Sequence, residues 1–364
     1  MITTPEKFVN ATIYDGNNST SRSISTGHKP DLIWCKSRNY GYSNSIYDSV
    51  RGPLKRIKSN STDAEANDSS SIISFDADGY TTGNSTSTNT SSNSSKYVAF
   101  TWKAGGNKNT FNVDDVGYAT FAASGTTDGT ITPTGTSIGT KQGFSIIKYA
   151  GTDTGSSQTI PHGLNEPPVF WMFKNLSQSG DWIIYTTAID GSSDYLKLNA
   201  TDAATSGVSP WSTAPTNSVI TVGTNNVDTC NDGDNFVMYA WHNVPGLQKF
   251  GKYFGNSNAD GAYIELGFRP ALLIVKRLED AGNQWVIFDS ERDKFNNGTT
   301  ATYARNPDVG AEGTANKLDF LSNGFKWRKS DSYTNDSGSS TGFIYAAWAE
   351  APSIDLYGGG ANAR

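Results

Sequence analysis

Tyr97-Val98-Ala99-Phe100-Thr101-Trp102 reads as a strand, because its alternation puts Val98, Phe100 and Trp102 on one face. The pattern recurs as Phe236-Val-Met-Tyr-Ala-Trp241 and Phe343-Ile-Tyr-Ala-Ala-Trp348, each an aromatic residue with a Trp five positions later. Upstream of each lies a second recurring run: Pro30-Asp-Leu-Ile-Trp-Cys-Lys36, Pro168-Val-Phe-Trp-Met-Phe-Lys174 and Pro270-Ala-Leu-Leu-Ile-Val-Lys276. Proline cannot donate to a ladder and so belongs at a strand start. The apolar residues after it suit a strand covered on both faces. From Pro to Trp is 72, 73 and 78 residues. A third element leads each copy, Tyr14-Asp-Gly16, Tyr149-Ala-Gly151 and Tyr253-Phe-Gly255, lying 16, 19 and 17 residues before the Pro. Three anchors in one order, three times over, mark an internal repeat of about 100 residues.

Composition agrees. Hydrophobic residues are 35% and charged residues 18%, with 37 Gly, which excludes a coiled coil or helical bundle. Aromatics at 12% exclude full disorder. Turn signals such as Asp78-Gly79-Tyr80 and Asn323-Gly324-Phe325 separate the apolar runs. A chain of 364 residues exceeds the roughly 250–300 that one core supports. The expected architecture is all-β: three tandem β-sandwich domains at residues 1–104, 143–249 and 250–351. Aligned Trp182 and Trp285 are expected in the core. A Gly/Thr/Ser-rich linker or arm at 105–142 accounts for the longer first join, 47 residues from Trp102 to Tyr149 against 12 from Trp241 to Tyr253. Within it, Val116–Phe121 and Thr130–Thr136 are candidates for a small hairpin. The alternative is an arm packed on a neighbouring subunit. Thr81–Ser95, made only of Thr, Gly, Asn and Ser, reads as a mobile loop. Residues 352–364 read as a flexible tail.

No chemistry-bearing constellation emerges. His28, His162 and His242 lack metal spacing, and no nucleophile elbow, Walker loop or dinucleotide fingerprint occurs. No cofactor is expected. Cys35 and Cys230 are too few for a disulfide framework. The weak calcium candidates are Asp228, Asp232 and Asp234, which lack the spacing and terminal Glu of an EF-hand. Asp48-Ser-Val-Arg51 and Asp289-Ser-Glu-Arg292 suggest exposed turn ion pairs, absent from the second copy, where Thr186-Thr-Ala-Ile189 stands. Arg51, Lys55, Arg56 and Lys58 read as a solvated basic face. A net charge of −6, from 29 Lys+Arg against 35 Asp+Glu, argues against nucleic acid as a partner. Met1–Lys7 holds no apolar stretch, so no secretory leader is expected, and no run approaches the roughly 20 residues of a membrane helix. Ligand contact falls to aromatic side chains in loop-like segments: Trp211 in Ser209-Pro-Trp-Ser-Thr-Ala-Pro215, then Tyr40 and Tyr42 in Arg38-Asn-Tyr-Gly-Tyr42.

The Tyr-x-Gly openings, the Pro–apolar–Lys strands, Asp48-Ser-Val-Arg-Gly52, Ser74-Phe-Asp-Ala-Asp-Gly-Tyr80 and Tyr97-Val-Ala-Phe-Thr-Trp-Lys103 resemble a repeated domain of unknown function found in structural proteins of marine bacteriophages, including those of cyanobacteria. The likeness covers residues 8–104, 143–244 and 250–351. The second copy departs from it, lacking the Asp-Ser-x-Arg element and the Asp-Gly-aromatic turn. The resemblance implies a virion component on the exposed particle surface, without enzymatic activity: a tail fibre or other appendage that meets host-surface polysaccharide or neighbouring virion proteins. The alternative is a capsid decoration or cement protein with no host-binding role, and a glycan depolymerase ranks below both. A homo-oligomer is expected, a trimer first, with 105–142 or 356–364 making contacts. With repeat one starting near Phe8, either the partner docks on the folded domains or residues 105–142 or the tail do the anchoring.

Overall fold

The computed structural model describes residues 1–127, 129–152, 154–189, 194–207, 213–296, 302–303, 318–338 and 342–352. These form strands joined by turns, with 3-10 turns at Pro5–Lys7, Ser92–Ser94 and Ala122–Ser124. The first stretch holds β1 (Val9–Asp15), β2 (Arg22–Ser25), β3 (Leu32–Ser37), β4 (Ser45–Asp48), β5 (Lys55–Lys58), β6 (Ala66–Asn67), β7 (Ile72–Asp76), β8 (Gly79–Thr82) and β9 (Lys96–Trp102). The join holds β10 (Phe111–Val113), β11 (Val116–Tyr118) and β12 (Gly135–Gly139). The second stretch holds β13 (Phe144–Ala150), β14 (Gln158–Pro161), β15 (Phe170–Asn175), β16 (Ile183–Thr186), β17 (Leu196–Lys197), β18 (Val219–Val222) and β19 (Asn235–Trp241). The third holds β20 (Gln248–Tyr253), β21 (Tyr263–Glu265), β22 (Phe268–Arg277), β23 (Val286–Asp289), β24 (Thr302–Tyr303), β25 (Leu318–Leu321), β26 (Gly324–Trp327) and β27 (Phe343–Pro352).

The main sheets run β1-β9-β3-β4-β5-β6, β11-β10-β12-β13-β19-β15-β16-β17 and β20-β27-β22-β23-β24. Small sheets run β2-β8-β7, β14-β18 and β21-β26-β25. In every main sheet the Trp strand lies between the Tyr-x-Gly strand and the Pro–apolar–Lys strand, antiparallel to both. The register agrees too, since Trp102, Trp241 and Trp348 oppose Leu32, Phe170 and Leu272. Pro30 and Pro168 precede their strands, whereas Pro270 sits inside β22 at a register shift. A bulge leaves an unpaired position that tolerates the missing N–H.

The central strands of each main sheet are buried on both faces, and the alternation of the Trp strand divides its residues between two cores. Tyr97 and Ala99 point to a local cluster with Ile24, Ile72 and Tyr80 from the small sheet. Val98, Phe100 and Trp102 enter a cluster shared by all three stretches, together with Val237, Tyr239, Trp241, Ile344, Ala346 and Trp348. The second and third stretches have local clusters of their own. In the shared core three indoles meet edge to face. Ring centroids are 5.4 Å apart for Trp102–Trp348, 6.0 Å for Trp241–Trp348 and 6.5 Å for Trp102–Trp241, with interplanar angles of 72°, 71° and 64°. This geometry sets the positive ring edge against the negative face.

The seams between stretches repeat as well. Glu65 N–H donates to the Leu176 carbonyl (3.1 Å) and Gly180 N–H to that of Thr62 (3.0 Å). One step on, Ala204 N–H donates to Leu278 (2.8 Å) and Gly282 N–H to Thr201 (3.2 Å). Trp182 and Trp285 are core residues whose Nε1–H groups reach across these seams to the Lys58 and Lys197 carbonyls at 2.8 and 2.9 Å.

Two local readings need correcting. Asp48–Arg51 is buried, with the paired side chains 0% and 1% exposed. Asp48 Oδ2 accepts from Arg51 Nε at 2.5 Å and from the Tyr239 hydroxyl of the second stretch at 2.6 Å. Arg292 pairs with Asp289 in the same way and lies over the Phe100 ring, 6.0 Å from its centroid. Adjacent positions in the chain suggest an exposed turn, but the neighbouring stretch covers it. Thr81–Ser95 is likewise packed, with Thr82, Thr88, Asn89, Thr90 and Ser95 buried. Tyr14 OH donates to the Thr88 carbonyl at 2.7 Å, and Tyr149 and Tyr253 make the same bond to Thr229 (2.5 Å) and Thr334 (2.6 Å). The Tyr-x-Gly motif is thus a latch. A Cβ on Gly16 or Gly151 would sit 1.9 or 2.1 Å from the Thr90 or Asn231 carbonyl oxygen.

Trp241→Ala should lower stability by about 3–5 kcal/mol. It should do so in a single transition that near-ultraviolet dichroism and intrinsic fluorescence report together, because all three stretches share its cluster. Separate transitions for the stretches, or a loss under about 1 kcal/mol, would contradict the shared core. Asp48→Ala should cost about 3–5 kcal/mol by leaving the Arg51 charge buried; denaturant midpoints measure it.

Candidate binding groove beside the arm

Residues 105–142 break the repetition, and they pack on the same chain. β12 adds to the free edge of β13 in antiparallel register, β10 runs parallel to β12, and β11 closes a hairpin on β10. The hairpin partner of Val116–Tyr118 is therefore 111–113, because the turn at Asp114-Asp115 is tight and both residues adopt positive φ, 49° and 65°. Asp114 then clasps the far end of the arm, accepting from Thr140 N–H (2.8 Å) and Thr140 Oγ1–H (2.6 Å). Apolar anchors Phe121, Ile131 and Ile138 are buried.

On one side of this clasp lies a groove of about 260 Å³, lined by Val113, Ser124–Thr127 and Thr140 of the arm and by Gly163–Asn165 and Asn217–Ser218 of the second stretch. Its lining among the described residues is hydroxyl, amide, backbone and aliphatic carbon. Several groups hold one another: Ser124 Oγ–H donates to the Phe121 carbonyl at 2.6 Å. His162 fixes the opposite wall. Its Nδ1 accepts from Leu164 N–H at 3.1 Å, which leaves Nε2–H to donate to the Thr216 carbonyl at 3.1 Å. Gly163 follows with φ +67°, and a Cβ there would lie 2.5 Å from Ile138 Cδ1. Across the clasp a second groove of about 370 Å³ is lined by Phe8, Lys103, Ala104, Asp114, Asp115, Lys141 and Gln142. Its charges answer one another: Lys103 Nζ lies 2.6 Å from Asp115, and Lys141 Nζ lies over the Phe8 ring.

The residues singled out from sequence lie elsewhere. Tyr40 and Tyr42 are half-buried and stack on each other at 5.7 Å. Their loop follows β3 as Leu176–Gly180 follows β15 and Leu278–Gly282 follows β22, the positions that form the seams. Trp211 lies outside the described residues, as does 353–364. Asp228, Asp232 and Asp234 do not form a cation cage. Asp228 Oδ1 accepts from Asp181 N–H, and burial raises its carboxyl above the usual range. Burial pushes the Asp234 carboxyl up, but the amides of Asn175, Gln178 and Asn231 donate to its Oδ2 and together hold it below the usual range. Among the described residues, no group of three or more His, Cys, Asp or Glu is placed to hold a metal ion. The groove itself was missed from sequence; the signal that pointed near it was the surplus length of the first join.

Burial lowers His162 and His28 from 6.5 to about 4. Their neutral forms belong to the folded state, so stability is fully present above pH 6.5 and is lost as pH falls towards 4, by up to about 3 kcal/mol for each. Asp31, Asp228 and Asp331, raised by burial, shift the opposite way. The comparison is therefore with His28→Gln/His162→Gln: the variant's unfolding midpoint should change less between pH 7.5 and 4.5 than the parent's. Equal changes would refute the assignment.

Comparison with the curated proteins and with the solved structures found no match. One family match runs through all three stretches and the arm without interruption: the chain belongs to the family described as "Domain of unknown function (DUF7483)", matched over residues 4–352.

Proposed function

We propose that this chain is a non-enzymatic structural protein of a phage virion, built from three tandem β-sandwich repeats and exposed on the particle surface, where it meets host-surface glycans or neighbouring subunits. The observation that carries the reading is the shared tryptophan core. It joins the three stretches into one block and places Trp102, Trp241 and Trp348 inside it. The arm, the element without a counterpart in the other two stretches, then supplies the distinctive surface. The resemblance to phage structural proteins supports the same reading. So does the use of the histidines: the rings of His28, His162 and His242 are each engaged with a backbone carbonyl, of Glu6, Thr216 and Asn243. Partners are other virion proteins and polysaccharide.

Purified protein incubated with host-envelope polysaccharide should bind it and leave its chain length unchanged, as judged by co-sedimentation and size-exclusion chromatography of the polymer. Shortened chains would overturn the non-enzymatic reading. Unchanged chains without binding would favour a cement protein that contacts only virion subunits.

A further inference from the structure

We infer that the groove between the arm and the second stretch is a binding site for an uncharged oligosaccharide. This rests on the reading of the chain as a surface protein that meets glycans, and it names the site and the class of sugar. Three polar side chains on the groove wall, Thr127, Asn165 and Asn217, are exposed and make no side-chain hydrogen bond to the described residues. An Asn amide offers one acceptor oxygen and two donor hydrogens, and Thr127 offers a hydroxyl that does both. A pair of neighbouring sugar hydroxyls presents the same mixture of donors and acceptors, so each amide can meet two of them at once.

Val113 and Leu164 add aliphatic carbon to the same lining, a surface for the C–H face of a pyranose ring. Among the described residues no charged side chain lines the groove, so a carboxylate or sulfate entering it would lose hydration and find no counter-charge. The second groove makes the contrast within one molecule. There Lys103, Asp115 and Lys141 line the wall but are engaged with one another or with Phe8. The volume, about 260 Å³, falls just under the roughly 300–1,000 Å³ of small-molecule sites.

The walls are also built to hold position without a ligand. On the arm side the Asp114–Thr140 clasp and the docking of Thr130 N–H on Thr159 Oγ1 (2.8 Å) tie the loop down. On the other side His162 bridges Leu164 and Thr216, which fixes the segments carrying Asn165 and Asn217 relative to each other. Preorganised polar groups lose little conformational freedom on binding, which is what a weakly hydrophobic ligand such as a sugar needs.

The test is affinity electrophoresis of the full chain in native gels containing dextran, laminarin or galactomannan as neutral polymers, and alginate as a uronate polymer. At least one neutral polymer should retard the protein more than alginate does. Asn165→Ala/Asn217→Ala should weaken that retardation by about tenfold, as expected for loss of two neutral hydrogen-bonding groups. Lys141→Ala, in the second groove, should leave it unchanged. Both Asn side chains are exposed, and a circular-dichroism melt confirms that the double variant is folded. Retardation by a neutral polymer that the double variant retains in full would overturn the assigned groove while leaving glycan binding standing. Retardation by alginate alone would overturn the uncharged class. No retardation by any polymer would overturn the site and also the glycan-contact part of the proposed function.

Discussion

The mutual edge-to-face contact of Trp102, Trp241 and Trp348 is the constraint on which the rest of the structure depends. Each indole stands on a strand that lies in the interior of its sheet, so its placement sets the position of the strands on either side. Because side chains alternate, the strand that delivers a Trp to the shared core also delivers its remaining residues to the local one. A chain with only 35% hydrophobic residues can fill four clusters this way, since the central strands of its main sheets serve a core with each face.

Burying both faces has a cost that the polar residues carry. Lys36, Lys174 and Lys276, the last residue of each Pro–apolar–Lys run, are 2%, 0% and 0% exposed. Lys174 Nζ donates to the Thr62 and Gly180 carbonyls at 3.0 and 2.9 Å, across a seam, and burial lowers it to about 8. Asp48, Arg51 and Tyr239 do comparable work at the other side of the same boundary, where unpaired groups would be far more costly than a completed network. The pairs are not equivalent in all three stretches. Thr186 takes the place of the Asp, and Ala346 lies in β27 where β9 and β19 have Phe100 and Tyr239.

The arm makes the block asymmetric. Its strands occupy the β13 edge, while the corresponding edge of β20 is met by Asn243 and Val244: Phe250 N–H donates to Asn243 Oδ1 at 2.9 Å and Gln248 N–H to Val244 O at 3.0 Å. A covered edge does not template unwanted strand pairing. Covering the β13 edge with thirty-odd polar residues rather than a short link also creates walls, and the grooves beside the Asp114–Thr140 clasp are their result.

Much of the fold was legible in the residues. Strand alternation and the triplicate Tyr-x-Gly, Pro–apolar–Lys and Trp anchors determine strands, their order and which side chains are buried, because periodicity and proline placement act locally. The sequence also told that the first join was exceptional. What only the tertiary structure decided is which apolar faces cover one another. A one-dimensional pattern marks a face as buried but does not say whether the cover is the stretch's own small sheet or another stretch. For the same reason Asp48–Arg51 looked like an exposed turn and Thr81–Ser95 looked like a mobile loop. The groove was the least legible of all, for its walls come from segments up to about a hundred residues apart. Thr127, Asn165 and Asn217 carry no signal until folding sets them around one space.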